Sequence, residues 1–227
     1  MTILRFSLKR IFQSPANIIV GFILPTGLLL LTGMWDEGGR GFYFIAMILM
    51  IAAFPYTNIM LVDRKEKTVQ RIMSTPTTTF QYLSQNLAAC MVPLLLQIIL
   101  VCVLGGIRYE WSLEFTLFLG LAYVLFAATG IAFAFAWNCL FKNESMSLSV
   151  LITVLLFSAV FGIFMSPSVF PDAIRIAAMI FPTYWVSTGV EELLYHGGFS
   201  IEFLMPMGVL ALFTAIFLLY GSKRGAY

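Results

Sequence analysis

Charged side chains are scarce in this sequence of 227 residues. Asp, Glu, Lys and Arg make up 11% of it, whereas 60% of the residues are hydrophobic and the mean hydropathy is +0.94. A soluble domain carries about twice that share of charge. One core of this length cannot hide so much apolar surface from water. The composition therefore predicts an all-α, polytopic membrane protein.

Histidine and cysteine are also rare, which argues against several kinds of site. Cys90, Cys102 and Cys139 lie in separate apolar runs, and His196 is the only histidine. Neither a disulfide framework nor a zinc site is expected from this spacing. The formal net charge of +2 offers no basic surface for nucleic acid. We therefore expect no metal, no catalytic cysteine and no nucleic-acid partner.

The apolar segments lack ionisable residues near their centres, and the chain lacks catalytic motifs. Buried charge marks most ion-driven carriers and proton relays. The phosphate-binding pattern G-x-x-x-x-G-K-[ST] is missing, as are G-x-S-x-G and H-E-x-x-H. The sequence thus predicts neither an enzyme nor a pump that works alone, so uphill transport would need energy from another protein.

Long uncharged segments are what the sequence does contain. A helix needs about 20 residues to cross the hydrocarbon layer. Segments of this kind predict a single transmembrane domain over residues 1–227 with six spans, at about 16–34, 41–62, 87–107, 115–141, 146–165 and 203–221. Residues 1–14, where apolar residues alternate with Arg5, Lys9 and Arg10, predict an interfacial helix.

The charges fall unevenly on the two sides of these spans. With the N-terminus inside, the inner segments hold ten cations and three acids, and the outer segments hold three cations and eight acids. Cytoplasmic loops are enriched in Lys and Arg. Both termini are therefore predicted to be cytoplasmic, in a multi-pass protein of the cell membrane, and the bacterial plasma membrane fits best.

Two segments between the spans are patterned. Residues 63–74 combine charges with Val69, Ile72 and Met73 at helical spacing, which predicts a short amphipathic helix on the cytoplasmic side. Residues 166–201 predict an outer re-entrant helical hairpin before the last span. There Asp172 is expected to cap a helix that Pro182 breaks.

The order of these parts resembles the type-2 ATP-binding-cassette (ABC) transporter permease family over the whole chain. The stretch from Glu66 through Ile72-Met73-Ser74-Thr75-Pro76 to Phe80-Gln81-Tyr82-Leu83 is similar to that family's coupling helix and the start of its third span. Phe181-Pro182-Thr183-Tyr184-Trp185 is similar to its extracellular re-entrant segment. The resemblance implies separate ATPase subunits that bind ATP and Mg²⁺, a second permease chain, identical or homologous, and no cofactor in this chain.

The resemblance also implies roles for named residues. Those expected to couple to the ATPase are Asp63, Arg64, Lys65, Glu66, Lys67, Arg71, Ile72 and Met73. Those expected to line a pathway are Thr26, Tyr56, Asn58, Phe157, Phe161 and Phe164. Those of the outer re-entrant segment are Pro171, Phe181, Pro182, Tyr184 and Trp185. The implied function is export of an amphipathic or hydrophobic peptide, drug or lipid-like molecule. An autonomous channel or secondary carrier is the alternative, followed by a membrane enzyme.

Overall fold

Helices make up nearly all of the chain that the structure describes. The computed structural model describes residues 2–35, 39–66, 68–74, 78–140, 153–154, 156–158, 160 and 171–225, and these residues contain no β-strand. The all-helical class is confirmed. The predicted span 146–165 lies mostly outside the described residues.

The first part of the chain is a sharply bent helix. Helix α1 spans Thr2–Gln13, and the continuation consists of α2 (Pro15–Ile18), a π-helical turn (Ile19–Ile23) and α3 (Leu24–Leu30), which a 3-10 turn (Thr32–Met34) follows. The two parts of this bent pair, residues 3–13 and 15–30, meet at 83°. Pro15 has no N–H with which to continue α1, and Asn17 Nδ2 donates instead to the carbonyl of Ile11 at 3.0 Å. The bend therefore has local causes.

The remaining elements are mainly long helices. They are α4 (Arg40–Lys65), α5 (Thr68–Met73), α6 (Thr79–Tyr109), α7 (Leu113–Leu140), α8 (Asp172–Ala178), α9 (Pro182–His196), a 3-10 turn (Ile201–Phe203) and α10 (Leu204–Gly225). Within the described ranges, four helices are long and apolar enough to cross a membrane, or five if the bent pair at the N-terminus is one span. The protein is thus a multi-pass membrane protein.

Helix α7 is the centre of the bundle. It packs against α4, α6, α9 and α10. Its side chains at Leu119, Tyr123 and Phe126 are fully buried, and Tyr123 Oη donates to the carbonyl of Phe42 at 2.8 Å. With partners on several sides, α7 needs no polar face, which explains why its sequence is apolar all round.

An aromatic cluster closes one end of the bundle. Its members come from the first bent helix, α4, α6 and α7 and are Trp35, Phe42, Tyr109, Trp111 and Phe115, with neighbouring ring centroids 5.0–5.9 Å apart. Tyr109 Oη also donates to the carbonyl of Leu29 at 2.7 Å. We call this end the aromatic end.

Two helices start elsewhere than the sequence predicts. No separate helix begins at residue 63, because α4 continues through Lys65 and the independent short helix is Thr68–Met73. Nothing between residues 62 and 65 breaks a helix. Helix α6 begins at Thr79, before the predicted membrane span 87–107, because Thr78 and Gln81 form a reciprocal capping box.

The expected capping role of Asp172 is wrong, whereas a break between two helices does lie just before Pro182. Pro171 holds the N-cap position of α8, so Asp172 is already its first residue. Pro182 occupies the first turn of α9, where its missing N–H costs nothing, and so it starts a helix of 15 residues.

Candidate functional site

An ion pair with a buried carboxylate joins α1 to the last turn of α4. Arg10 Nη1 lies 2.6 Å from Asp63 Oδ1, and Tyr82 Oη of α6 donates to Asp63 Oδ2 at 3.0 Å. The side chain of Asp63 is 7% exposed, whereas that of Arg10 is 41% exposed. A carboxylate so buried needs such partners to offset its lost hydration. We call Arg10, Asp63 and Tyr82 the Asp63 junction.

Further hydrogen bonds hold α1 against the start of α6. Ser7 Oγ donates to Asn86 Oδ1 at 2.6 Å, and Asn86 Nδ2 donates to the carbonyl of Tyr82 at 2.9 Å. The N–H of Leu4 donates to Gln85 Oε1 at 3.4 Å. Ser7 and Asn86 are both buried. The position of α1 is therefore fixed by polar contacts as well as by its apolar side.

An apolar cluster surrounds this junction and connects it to the rest of the bundle. Met60, Tyr82 and Phe135 form its buried centre, and the partly buried members are Ile3, Ile72, Leu83, Leu87, Cys139 and Leu218. The members come from α1, α4, α5, α6, α7 and α10. Helix α5 has only six residues and is too short to be stable alone. Ile72 anchors α5 in this Met60 cluster.

A groove of about 280 Å³ runs between α1 and α5. Ile3, Phe6, Ser7, Arg10, Asp63, Thr68 and Ile72 line it. Phe6 is 67% exposed on its rim. The groove thus offers apolar surface and one exposed guanidinium side by side, which is suitable for another protein.

The predicted coupling residues fall into two environments. Asp63 is buried in the junction, and Ile72 packs in the Met60 cluster, whereas Glu66 and Arg71 are exposed. Arg71 Nη2 donates to the carbonyl of Glu66 at 3.2 Å. Arg64 and Lys65 lie in the last turn of α4, Met73 ends α5, and Lys67 lies outside the described residues. The structure therefore separates residues that hold the segment from residues that another protein can reach.

The predicted pathway residues do not share one environment. Tyr56 is fully buried, and its Oη donates to the carbonyl of Asn17 at 3.3 Å. Thr26 Oγ1 donates to the carbonyl of Phe22 at 2.6 Å within its own helix. Asn58 and Phe157 are exposed in the single chain. Phe161 and Phe164 lie outside the described residues, so the pathway stays a prediction.

The predicted outer residues belong mainly to the buried start of α9. Pro182, Tyr184 and Trp185 are buried, Phe181 is half-buried, and Pro171 is exposed. Trp185 Nε1 donates to the carbonyl of Met179 at 2.8 Å, and Thr183 Oγ1 donates to the carbonyl of Ser158 at 2.8 Å. Helix α9 packs against α4, α7 and α10. Its first half is thus inserted among the other helices.

Sequence reasoning missed Gln97. This glutamine lies in α6, is fully buried, and neither its Nε2 nor its Oε1 has a hydrogen-bond partner in the part of the chain that the structure describes. A buried amide without partners is costly. The sequence could have identified Gln97, because this lone glutamine interrupts an otherwise apolar run between Pro93 and Gly105.

The family model described as "ABC-2 family transporter protein" matches residues 38–223. The chain belongs to the ABC-2 family of transporter proteins. This ABC-2 permease is a transmembrane subunit of an ABC transporter, distinct from the ATPase with which its family associates. A search among curated proteins returned no significant match. The match includes α4, α5 and the start of α6, and α1 precedes it.

Proposed function

We propose that this ABC-2 permease exports an amphipathic or hydrophobic molecule, with energy from ATP hydrolysis by a separate subunit. The observation that carries the proposal is the set of contacts between α5 and the ends of two spanning helices. Ile72 of α5 packs in the Met60 cluster beside Met60 of α4 and Tyr82 of α6. The Asp63 junction joins the last turn of α4 to the first turns of α6. A force applied to α5 would therefore reach both helices. ATP and Mg²⁺ would bind the partner, and this chain would need no cofactor.

The positions of the helix ends support the six-span topology with both termini on one side. Near the start of helix α7, the ring of Phe118 packs on Phe199 and Phe203. Near its end, Phe135 lies in the Met60 cluster. Helix α10 begins beside Phe203 and contributes Leu218 to the same cluster. The two helices are therefore parallel, so the chain between them must return an odd number of times. This supports a fifth span between residues 140 and 204.

The charge distribution supports the orientation. Arg10 and Arg71 lie at the end of the bundle that holds the Met60 cluster, and the segments predicted on that side carry a net charge of +7, against −5 outside. Positive segments stay in the cytoplasm. We therefore assign the Asp63 junction and both termini to the cytoplasm and the aromatic end to the outside of a bacterial plasma membrane.

A second permease chain fits the apolar surface that a single chain leaves open. Only 22% of the most apolar stretch of residues 201–223 is buried, against 56% for residues 113–140. Lipid covers such surface, and so does another permease, identical or homologous. We propose two permease chains with two ATPase chains, with Thr26, Asn58 and Phe157 near the pathway and Tyr56 in a packing role.

The experiment uses charge reversal at exposed positions of the α5 segment. We expect Glu66→Arg combined with Arg71→Glu to weaken binding of the partner ABC ATPase and to reduce its stimulated ATP hydrolysis at least about tenfold. Both side chains are exposed, so the unfolding temperature should not change. Arg40→Glu is the matched control, because Arg40 is an exposed cation at the opposite end of α4.

The measurements are co-purification and ATP hydrolysis in vesicles of bacterial lipid. Full binding and hydrolysis in the double variant would contradict the coupling role of α5. Transport by the permease alone, without ATPase or ATP, would instead identify an autonomous channel or carrier. Loss of binding in Arg40→Glu would show that the effect is not specific to this side.

A further inference from the structure

Three side chains with metal-binding atoms meet where α9 ends and α10 begins. Glu192 and His196 lie one helical turn apart, with His196 Nε2 3.5 Å from Glu192 Oε2. Glu202 lies in the 3-10 turn Ile201–Phe203 that leads into α10. One ligand atom from each of the three lies within 4.8 Å of the others. The sequence predicted no metal site because it has one histidine, but the fold adds two carboxylates to it.

The connection between α9 and α10 holds Glu202 opposite the last turn of α9. Gly197 ends α9 in a left-handed conformation with φ of +68°, which turns the chain back. Glu114 Oε1 of α7 accepts a hydrogen bond from the N–H of Phe199 at 3.1 Å, and Ser200 Oγ accepts one from the N–H of Phe203 at 3.2 Å. The connection is thus fixed at both ends.

The local electrostatics favour a cation. Glu192 and Glu202 supply two carboxylates, and His196 lies in the last turn of a helix of 15 residues, where the free carbonyls attract positive charge. Within the described ranges, no Lys or Arg forms a salt bridge with Glu192 or Glu202. Among the residues that the structure describes, no Lys or Arg therefore neutralises these two carboxylates.

We propose that Glu192, His196 and Glu202 bind a divalent transition-metal ion of the zinc class. An imidazole nitrogen with carboxylate oxygens is a donor set that zinc accepts and that Mg²⁺ does not favour. Ligand atoms around a tetrahedral zinc ion lie about 3.4 Å apart, so the three need to approach by about 1.4 Å at most. The exposed side chains of His196 and Glu202 can do so by rotamer changes. Water would complete the coordination.

The ion would join two elements of the outer face. Two ligands belong to α9, whose first half is inserted among the spanning helices, and one belongs to the turn that starts α10. Metal binding would therefore stabilise the packing of α9 on α10 from outside. This proposal concerns the permease chain alone and does not depend on the proposed ATPase partner.

The test is zinc titration of the purified full chain in detergent, followed by calorimetry and by the unfolding temperature. The chain should carry no polyhistidine tag. We expect one zinc ion per chain, a raised unfolding temperature, and no comparable effect of Mg²⁺. His196→Asn and Glu202→Gln should each weaken zinc binding by at least about tenfold. Tyr195→Phe is the matched control, because Tyr195 is 86% exposed beside His196 and offers zinc no favoured ligand.

Each outcome decides the question. Equal zinc affinity of the wild type and His196→Asn would overturn the site, as would equal binding of Mg²⁺. A loss in His196→Asn but none in Glu202→Gln would reduce the site to an ordinary pair on one helix and overturn the bridge between α9 and α10. Unfolding temperatures without zinc would show whether each variant is folded. Because His196 and Glu202 lie on different elements, a folding defect in one variant would leave the other variant to decide the question.

Discussion

The two members of the Arg10–Asp63 pair differ in exposure, and this difference predicts an unequal cost of removing them. Arg10→Met leaves a carboxylate that is 7% exposed without its cation, and an uncompensated buried charge costs about 3–5 kcal/mol. Asp63→Asn removes the charge and keeps an oxygen that accepts the hydrogen bond from Tyr82, and the exposed Arg10 can then be solvated by water. The free energy of unfolding should therefore fall by only about 1 kcal/mol.

The assay is thermal unfolding of the permease in detergent. For a chain of this length, 1 kcal/mol corresponds to about 2–4 °C. We expect Arg10→Met to lower the unfolding temperature by about 6–20 °C and Asp63→Asn by about 2–4 °C. Combining the two changes should recover most of the loss, because no buried charge remains.

Two results would refute this reasoning. A larger loss in Asp63→Asn than in Arg10→Met would mean that the hydrogen bonds of Asp63, and not its charge, dominate. A double variant as unstable as Arg10→Met alone would mean that Arg10 stabilises α1 through its packing. Tryptophan fluorescence and circular dichroism would report the transition independently.

Two further predictions concern single contacts inside the bundle. Gln97→Met should raise the unfolding temperature by at least about 2–4 °C, since it removes a buried amide without partners among the described residues. Asn86→Leu is the control and should lower the unfolding temperature, because the buried amide of Asn86 is hydrogen-bonded. A lower unfolding temperature in Gln97→Met would show that the Gln97 amide does have a partner. Gly21→Ala should destabilise the chain because its Cβ would clash with Tyr56 Oη, and adding Tyr56→Phe should restore stability in thermal melts. Failure of that rescue would point to the π-helical backbone as the cause.

The sequence was informative where physical patterns are local. Apolar length located the helices that cross the membrane, and the alternation of charge with apolar residues located α1. Pro15 and Pro182 lie at helix starts, as their missing N–H permits. The capping box at Thr78 and Gln81 was readable too, and it explains why helix α6 begins before the predicted membrane span 87–107.

Contacts between distant residues could not be read in the same way. Arg10 and Asp63 are 53 positions apart, and the sequence assigned Arg10 to lipid headgroups and Asp63 to a surface helix. Each assignment was reasonable alone, because a single charge near a membrane end has water as its usual partner. Glu202 likewise approaches His196 only through Gly197 and the bond from Phe199 to Glu114. The burial of Asp63 and the approach of these partners appear only in three dimensions.

The contacts also suggest why the first span is broken where it is. Helix α4 carries Asp63 in its last turn and Tyr56 two turns earlier, directly after Pro55. Tyr56 touches Gly21 in the π-helical turn and bonds to Asn17 at the bend that follows α1. Movement of α5 would displace the end of α4. Through its contact with Gly21, Tyr56 would transmit this displacement to the π-helical turn, where the hydrogen bonding of the first span is least regular. A regular helix with a Cβ at position 21 could not approach Tyr56 so closely. We infer that Gly21 and the π-helical turn make room for this contact, so that α1, α4 and the first span respond together to the ATPase.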